Sequence, residues 1–173
     1  MKKFTKKALL EHLAKSEKDD IVAEVMVLFD KFNNVKEYYK SELSDNSSLL
    51  DKYKKKITDA YAAANPSDRR TNMNLNKLIS DFKRIAVYQT ELAELLIHRV
   101  EYGVKAFTRN PKRSEAFYNC VINSFEEAIK IIRSGDTVEE YRKRIFDLVE
   151  RSADSKYGTG ERMKTILKEN EFL

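Results

Sequence analysis

Glycine and proline, the strongest turn formers, are almost missing from this chain. Four glycines and two prolines are spread over 173 residues. A β-sandwich or barrel needs a tight turn about every ten residues and cannot be assembled from so few. What remains open is a set of long helices joined by short links. Apolar residues at 42% and charged residues at 35% suit charged helix faces around an apolar interior, and the aromatic content argues against disorder.

The apolar spacing supplies those helices one after another. Leu9, Leu10 and Leu13 predict a short first helix. Ile21, Val25, Leu28 and Phe32 step by helical intervals, and Val22, Met26 and Phe29 widen the stripe, which implies contact with more than one neighbour. Asp19 and Asp20 fall in the first turn, at the positive end of the helix dipole. A further short helix is expected over Val35–Leu43. After the turn signal Ser-Asp-Asn-Ser at 44–47, the stripe Leu50, Tyr53, Ile57, Ala60 and Ala64 follows, with Ser48 as its expected cap.

The best internal boundary is Asn65-Pro66-Ser67-Asp68. The polar run that continues to Asn74 reads as the longest loop, a hinge over 65–74 within a single 1–173 domain. Leu75, Leu78, Phe82 and Ile85 then open the second part. Leu92, Leu96, Val100, Gly103 and Phe107 mark a helix over Tyr88–Arg109, about 33 Å long at 1.5 Å per residue. Asn110-Pro111 reads as a stop and a new start, leading into Phe117, Val121, Phe125, Ala128 and Ile132. These two helices should form an antiparallel hairpin. Glycine at 103 costs about 1 kcal/mol against alanine in a helix, so close approach of the helix bearing Phe117 and Val121 is expected there. Thr137-Val-Glu-Glu140 is a capping-box pattern before Val138, Tyr141, Ile145 and Leu148. Gly158 and Gly160 are expected to break that helix ahead of a last one with Met163, Ile166 and Leu167. No repeat of fixed period is present. The reading is all-α, about nine helices, in an irregular bundle or a stack of antiparallel helical hairpins.

No apolar run approaches the roughly 18 residues of a membrane span, and one cysteine permits no internal disulfide, so the chain reads as cytoplasmic with no membrane partner. The net charge of +5 is spread over interleaved acids and bases, as solvated helix faces are. Phosphate-binding glycine patterns are absent. Glu91, Glu94, His98 and Glu101 could share a helical face in the manner of a metal-binding carboxylate set, but the order is His-x-x-Glu, once, without a second nearby histidine. The polar back of an amphipathic helix is the simpler reading. Cys120 lies with Phe117, Val121 and Ser124 on an apolar face and reads as a buried structural thiol, since no base accompanies it. The basic clusters Lys2, Lys3, Lys6 and Lys7, Lys54-Lys55-Lys56, Arg69-Arg70, Lys112-Arg113 with Arg109, and Arg142-Lys143-Arg144 could meet a phosphate backbone if folding gathered them. Each lies among acids.

Two stretches resemble a known family. Over residues 6–43, Lys-Lys-Ala-Leu-Leu-Glu-His-Leu, Asp-Ile-Val-Ala-Glu-Val-Met-Val-Leu-Phe and Val-Lys-Glu-Tyr-Tyr are similar to the opening of an uncharacterised bacterial all-helical family, a domain of unknown function. Over 91–132, Glu-Leu-Ala-Glu-Leu-Leu, Val-Glu-Tyr-Gly-Val, Ala-Phe-Tyr-Asn and Phe-Glu-Glu-Ala resemble that family's long helical hairpin. The resemblance implies a helical fold and brings no activity, cofactor or site residue with it. The sequence thus assigns no catalytic, cofactor-binding or metal residue. It favours a non-enzymatic binding or scaffold protein with a protein partner or self-association, and the alternative is weak, nonspecific nucleic-acid binding.

Overall fold

In a computed structural model, which describes residues 5–43, 47–63, 68–86 and 88–172, helix follows helix and no strand occurs among the described residues. Nine α-helices are seen there: α1 (Lys6–Leu13), α2 (Lys18–Lys31), α3 (Asn33–Leu43), α4 (Ser47–Ala62), α5 (Asp68–Ile85), α6 (Gln89–Arg109), α7 (Glu115–Ser134), α8 (Val138–Arg151) and α9 (Thr159–Glu169). A 3-10 turn, Lys156–Gly158, precedes α9.

Residue pairing across the helices gives the topology. Gly103 meets Val121 and Phe107 stacks on Tyr118, with ring centroids 4.7 Å apart. Numbers that rise on α6 therefore fall on α7, and the two form the antiparallel hairpin the sequence predicts. Lys54 reaches Glu94 and Thr58 reaches His98, so α4 and α6 run in the same direction. Asn72 reaches Ala116 and Lys83 reaches Glu127, so α5 and α7 do likewise. Helices α4 to α7 are thus an up-down-up-down bundle, with α8 and α9 laid against it. α6 is the central member. Leu95, Leu96, Ile97, Val100 and Val104 on it have no exposed surface, because α4, α5, α7 and α8 all contact this helix.

Gly103 explains the closest crossing. A Cβ built there would stand 2.5 Å from Val121 Cγ2 and 3.1 Å from Tyr61 Oη, nearer than packed atoms tolerate. The glycine that weakens α6 locally is what lets α7 and Tyr61 approach it. Gly160 serves α9 in the same way, since a Cβ would meet Ala153 Cα and the Ser152 carbonyl at 2.7 Å.

Several local expectations are corrected. Of the 65–74 hinge, residues 65–67 lie outside the described residues, as do Ala64 and the Ser48 side chain, while 68–74 are the first turns of α5 and not a loop. The polar composition misled because this helix start is anchored by hydrogen bonds. Asp68 accepts from the Ser114 N–H and the Arg113 guanidinium, and Asn72 donates to the Ala116 carbonyl. Pro111 sits in the turn after α6 and outside α7, whose cap is Ser114, accepting from the Phe117 N–H. Asn110 Oδ1 accepts from the Lys112 N–H and closes that turn. The capping box at Thr137 does not form. Its hydroxyl donates instead to the Ile132 carbonyl of the helix before it. α8 ends at Arg151, ahead of the glycines, and Gly158 with φ +63° supplies the left-handed step that starts α9.

Candidate functional site

The first three helices differ from the rest in what they bury. α1 and α2 contain no buried residue. α2 sets Ile21, Val25 and Phe29 half-buried along the middle of its apolar arc, where it packs on α3. Both edges of the arc face outward: Val22 and Met26 are each 52% exposed on one edge and Leu28 is 40% exposed on the other, while Phe32, the residue just past the helix end, is 49% exposed. Val27, on the opposite face, and Leu10 of α1 are exposed to a similar degree. α3 joins this arm to the bundle through α5. The broad stripe predicted contact with more than one neighbour, and α3 covers only its centre. Both ends of α2 carry charge of both signs: Glu17, Asp19 and Asp20 with Lys18 at its start, and Asp30 with Lys31 in its last turn.

A polar cluster gathers where α4, α6 and α8 meet. Glu94 accepts from Lys54 at 2.8 Å and from Arg144 at 2.7 Å, and Arg144 also bonds Glu101 at 2.9 Å. Burial works against ionisation of Glu94, but hydrogen bonds from Arg144 and Lys54 outweigh it and hold the carboxyl below its ordinary range. His98 Nε2 lies 3.1 Å from the Lys54 carbonyl and 3.1 Å from Thr58 Oγ1. Burial pushes its pKa down, so the ring favours the neutral form. Tyr141, beside the cluster, is pushed up to about 12 by burial and then by the Glu94 carboxylate. Three of the four residues considered for a metal therefore do converge, yet their neighbours are cations. The carboxylate lone pairs a metal would use are held by Lys54 and Arg144, and His98 Nε2 is turned to the Lys54 carbonyl and the Thr58 hydroxyl. Glu91, the fourth, sits apart in the first turn of α6, with burial raising its pKa. Among the described residues no group of three or more His, Cys, Asp or Glu side chains is arranged to hold a metal ion.

The basic clusters are partly consumed inside the molecule. Lys54 and Arg144 are held by Glu94, Arg113 by Asp68 and Arg142 by Glu139. Lys56 lies over the Tyr53 ring. Arg109, Lys105 and Arg113 line an open hollow of about 360 Å³ together with Tyr61 and Tyr102. Lys54 and Arg144, from two of these clusters, meet on the same carboxylate. Lys2 and Lys3 lie outside the described residues. Cys120 is half-buried and not buried as expected. Its neighbours Phe117, Val121 and Ser124 face the core, while position 120 turns to the edge of α7, into a polar cleft between α5 and α7.

A family model matches residues 4–171, nearly the whole chain. The chain belongs to DUF6155, a family of unknown function. The match spans both stretches on which the resemblance rested. No curated protein and no solved structure matches the chain. Membership of DUF6155 fixes no chemistry, and none of the described helices is long and apolar enough to cross a membrane.

One residue that sequence reasoning passed over is Arg99. It lies three after Leu96 and four before Gly103, on the apolar stripe of α6, and it is buried. A charge on that stripe was the available signal.

Proposed function

We propose that this DUF6155 chain is a non-enzymatic binding protein that works through its α1–α3 arm, and that the arm's occupant is a second copy of the chain. The observation that carries this reading is the exposed apolar surface on both edges of α2. Monomeric proteins rarely leave large contiguous apolar areas in water. At about half exposure, and with ~150 Å² for a large side chain, Leu10, Val22, Met26, Leu28 and Phe32 offer several hundred Å². The half-buried residues between them and a polar rim bring that towards the ~800 Å² each partner gives to a standard interface.

Charge argues for self-pairing over an unrelated partner. When two copies of α2 cross antiparallel about a two-fold axis, Asp19 and Asp20 of one come to the end that carries Lys31 of the other, and Lys18 to the end that carries Asp30. A single cysteine suits a cytoplasmic protein, and the assembly needs no bond between thiols. Nucleic-acid binding is the weaker reading, because Lys54, Arg113 and Arg144 already have carboxylate partners. Light scattering during size exclusion tests the proposal. The full chain is expected to elute as a dimer at micromolar concentration, and Met26→Glu with Phe32→Glu to give a folded monomer. A wild-type monomer at every concentration overturns it.

A further inference from the structure

The cleft between α5 and α7 has at its floor a cation that no acid neutralises. Asn76, Ser80 and Lys83 line the α5 side, and Asn123, Ser124 and Glu127 the α7 side, around a cavity of about 290 Å³. Arg99 rises between them from α6. It is 3% exposed. Its Nη2 donates to Asn76 Oδ1 at 2.8 Å, and its Nε is buried with no acceptor. Glu127, the carboxylate in the lining, is held by Lys83 at 2.5 Å. None of the ion pairs among the described residues includes Arg99.

Comparison with the other interior arginines sharpens the point. Arg144 is more exposed and has two carboxylates. Arg113 also keeps an Nε without acceptor, but Asp68 balances its charge. A guanidinium taken out of water with only the Asn76 amide oxygen and the neutral Tyr61 hydroxyl for polar company is costly to the fold. A binding site is the setting in which that cost has a use, since the ligand supplies the missing charge.

We infer that this cleft binds a small molecule through a carboxylate group, with Arg99 as the recognising residue. A guanidinium edge matches the two oxygens of a carboxylate. Arg99 and Lys83 against Glu127 leave one positive charge, which a monoanionic group neutralises. The volume, about 290 Å³, sits at the lower end of small-molecule sites, roughly 300 Å³. Polar side chains at the rim, Ser80 and Asn123, would meet a hydroxyl or amide on the rest of the ligand. The site lies in the bundle and does not depend on how the arm pairs.

The test follows the Arg99 Nε–H signal in nitrogen-15 spectra of the full chain. Small mono- and dicarboxylates are titrated at constant ionic strength, with inorganic phosphate and chloride as separate arms. One or more carboxylates should shift that signal saturably, with millimolar affinity or tighter, and raise the melting temperature with concentration. Arg99→Met should lose both responses while melting no lower than the ligand-free wild type, because it removes a buried unpaired charge. Should Arg99→Met fail to fold, Ser80→Phe, at an exposed position on the α5 wall, blocks the cleft with Arg99 in place and should abolish the response. The inference is overturned by an Arg99 signal that no carboxylate moves well above millimolar concentration. It is equally overturned by chloride or phosphate moving the signal as far as any carboxylate, or by Ser80→Phe responding like wild type.

Discussion

The arm and the bundle are made of the same kind of sequence and reach different ends. α2 and α7 both carry wide apolar stripes. On α7, Phe117, Val121, Phe125, Ala128, Ile129 and Ile132 are all buried, whereas no residue of α2 is. Amphipathic pattern therefore specifies the helix but not the helix's neighbour. The bundle holds its partners within the chain, and the arm presents a wide but less sharply sided stripe with part of its counterpart missing. Stability should accordingly be concentrated in α4 to α9, and adaptability in α1 to α3.

The comparison can be broken most directly in the core. Phe125→Ala removes a side chain with no exposed surface and should cost about 4 kcal/mol, read from denaturant unfolding. Gly103→Leu should cost about 3 kcal/mol, because its first side-chain atom would already collide with Val121. A melt matching wild type would mean that α6 and α7 do not cross as described. Glu94→Gln leaves Lys54 and Arg144 facing a neutral amide and should cost about 1–2 kcal/mol, less than a fully buried pair would.

Acid gives a related and smaller signal. His98 has a pKa lowered by burial, so the unfolded chain binds its proton first, and stability should begin to fall as pH drops below about 6.5. Glu94 and Asp68, whose carboxyls are held below the ordinary range against the pull of burial, extend that loss as pH falls below about 4. Thermal melts across this range should slope accordingly, with Glu94→Gln flattening the lower part. The smallest effect belongs to the arm. Met26→Ala should change the unfolding of a dilute monomer by under about 0.5 kcal/mol while weakening dimerisation at higher concentration. Amides of α1 and α2 should exchange well before those of α6 and α7. A Met26→Ala variant as destabilised as Phe125→Ala would erase the distinction between the two regions.

Much of the fold is legible in the chain, and what is not has a physical pattern. Stripes such as Leu92, Leu96, Val100 and Phe107 place their helices because burial follows apolar spacing. Gly103 announces a close crossing because nothing else justifies its cost. The start of α5 is hidden because Asp68 and Asn72 hold it through bonds to residues more than forty positions away, a distance no local pattern records. The polar cluster is half legible: the spacing of Glu94, His98 and Glu101 shows a shared face, but not that Lys54 and Arg144 arrive to occupy it. The exposed arm is invisible for the same reason, since a stripe says nothing of what covers it. Family membership adds the extent of the matched unit, residues 4–171, and leaves its chemistry to the side chains.

The turn between α6 and α7 looks, by its position on the surface and its proline, like a place to splice in a tag, a fluorophore or a peptide. Asp68 makes it the opposite. With Arg113 and the Ser114 amide both committed to that one carboxylate, lengthening the turn would release the first coil of a helix elsewhere in the sequence. Engineering in this protein is safest where no distant residue is listening, and the tip of its longest hairpin is a rivet rather than a free end.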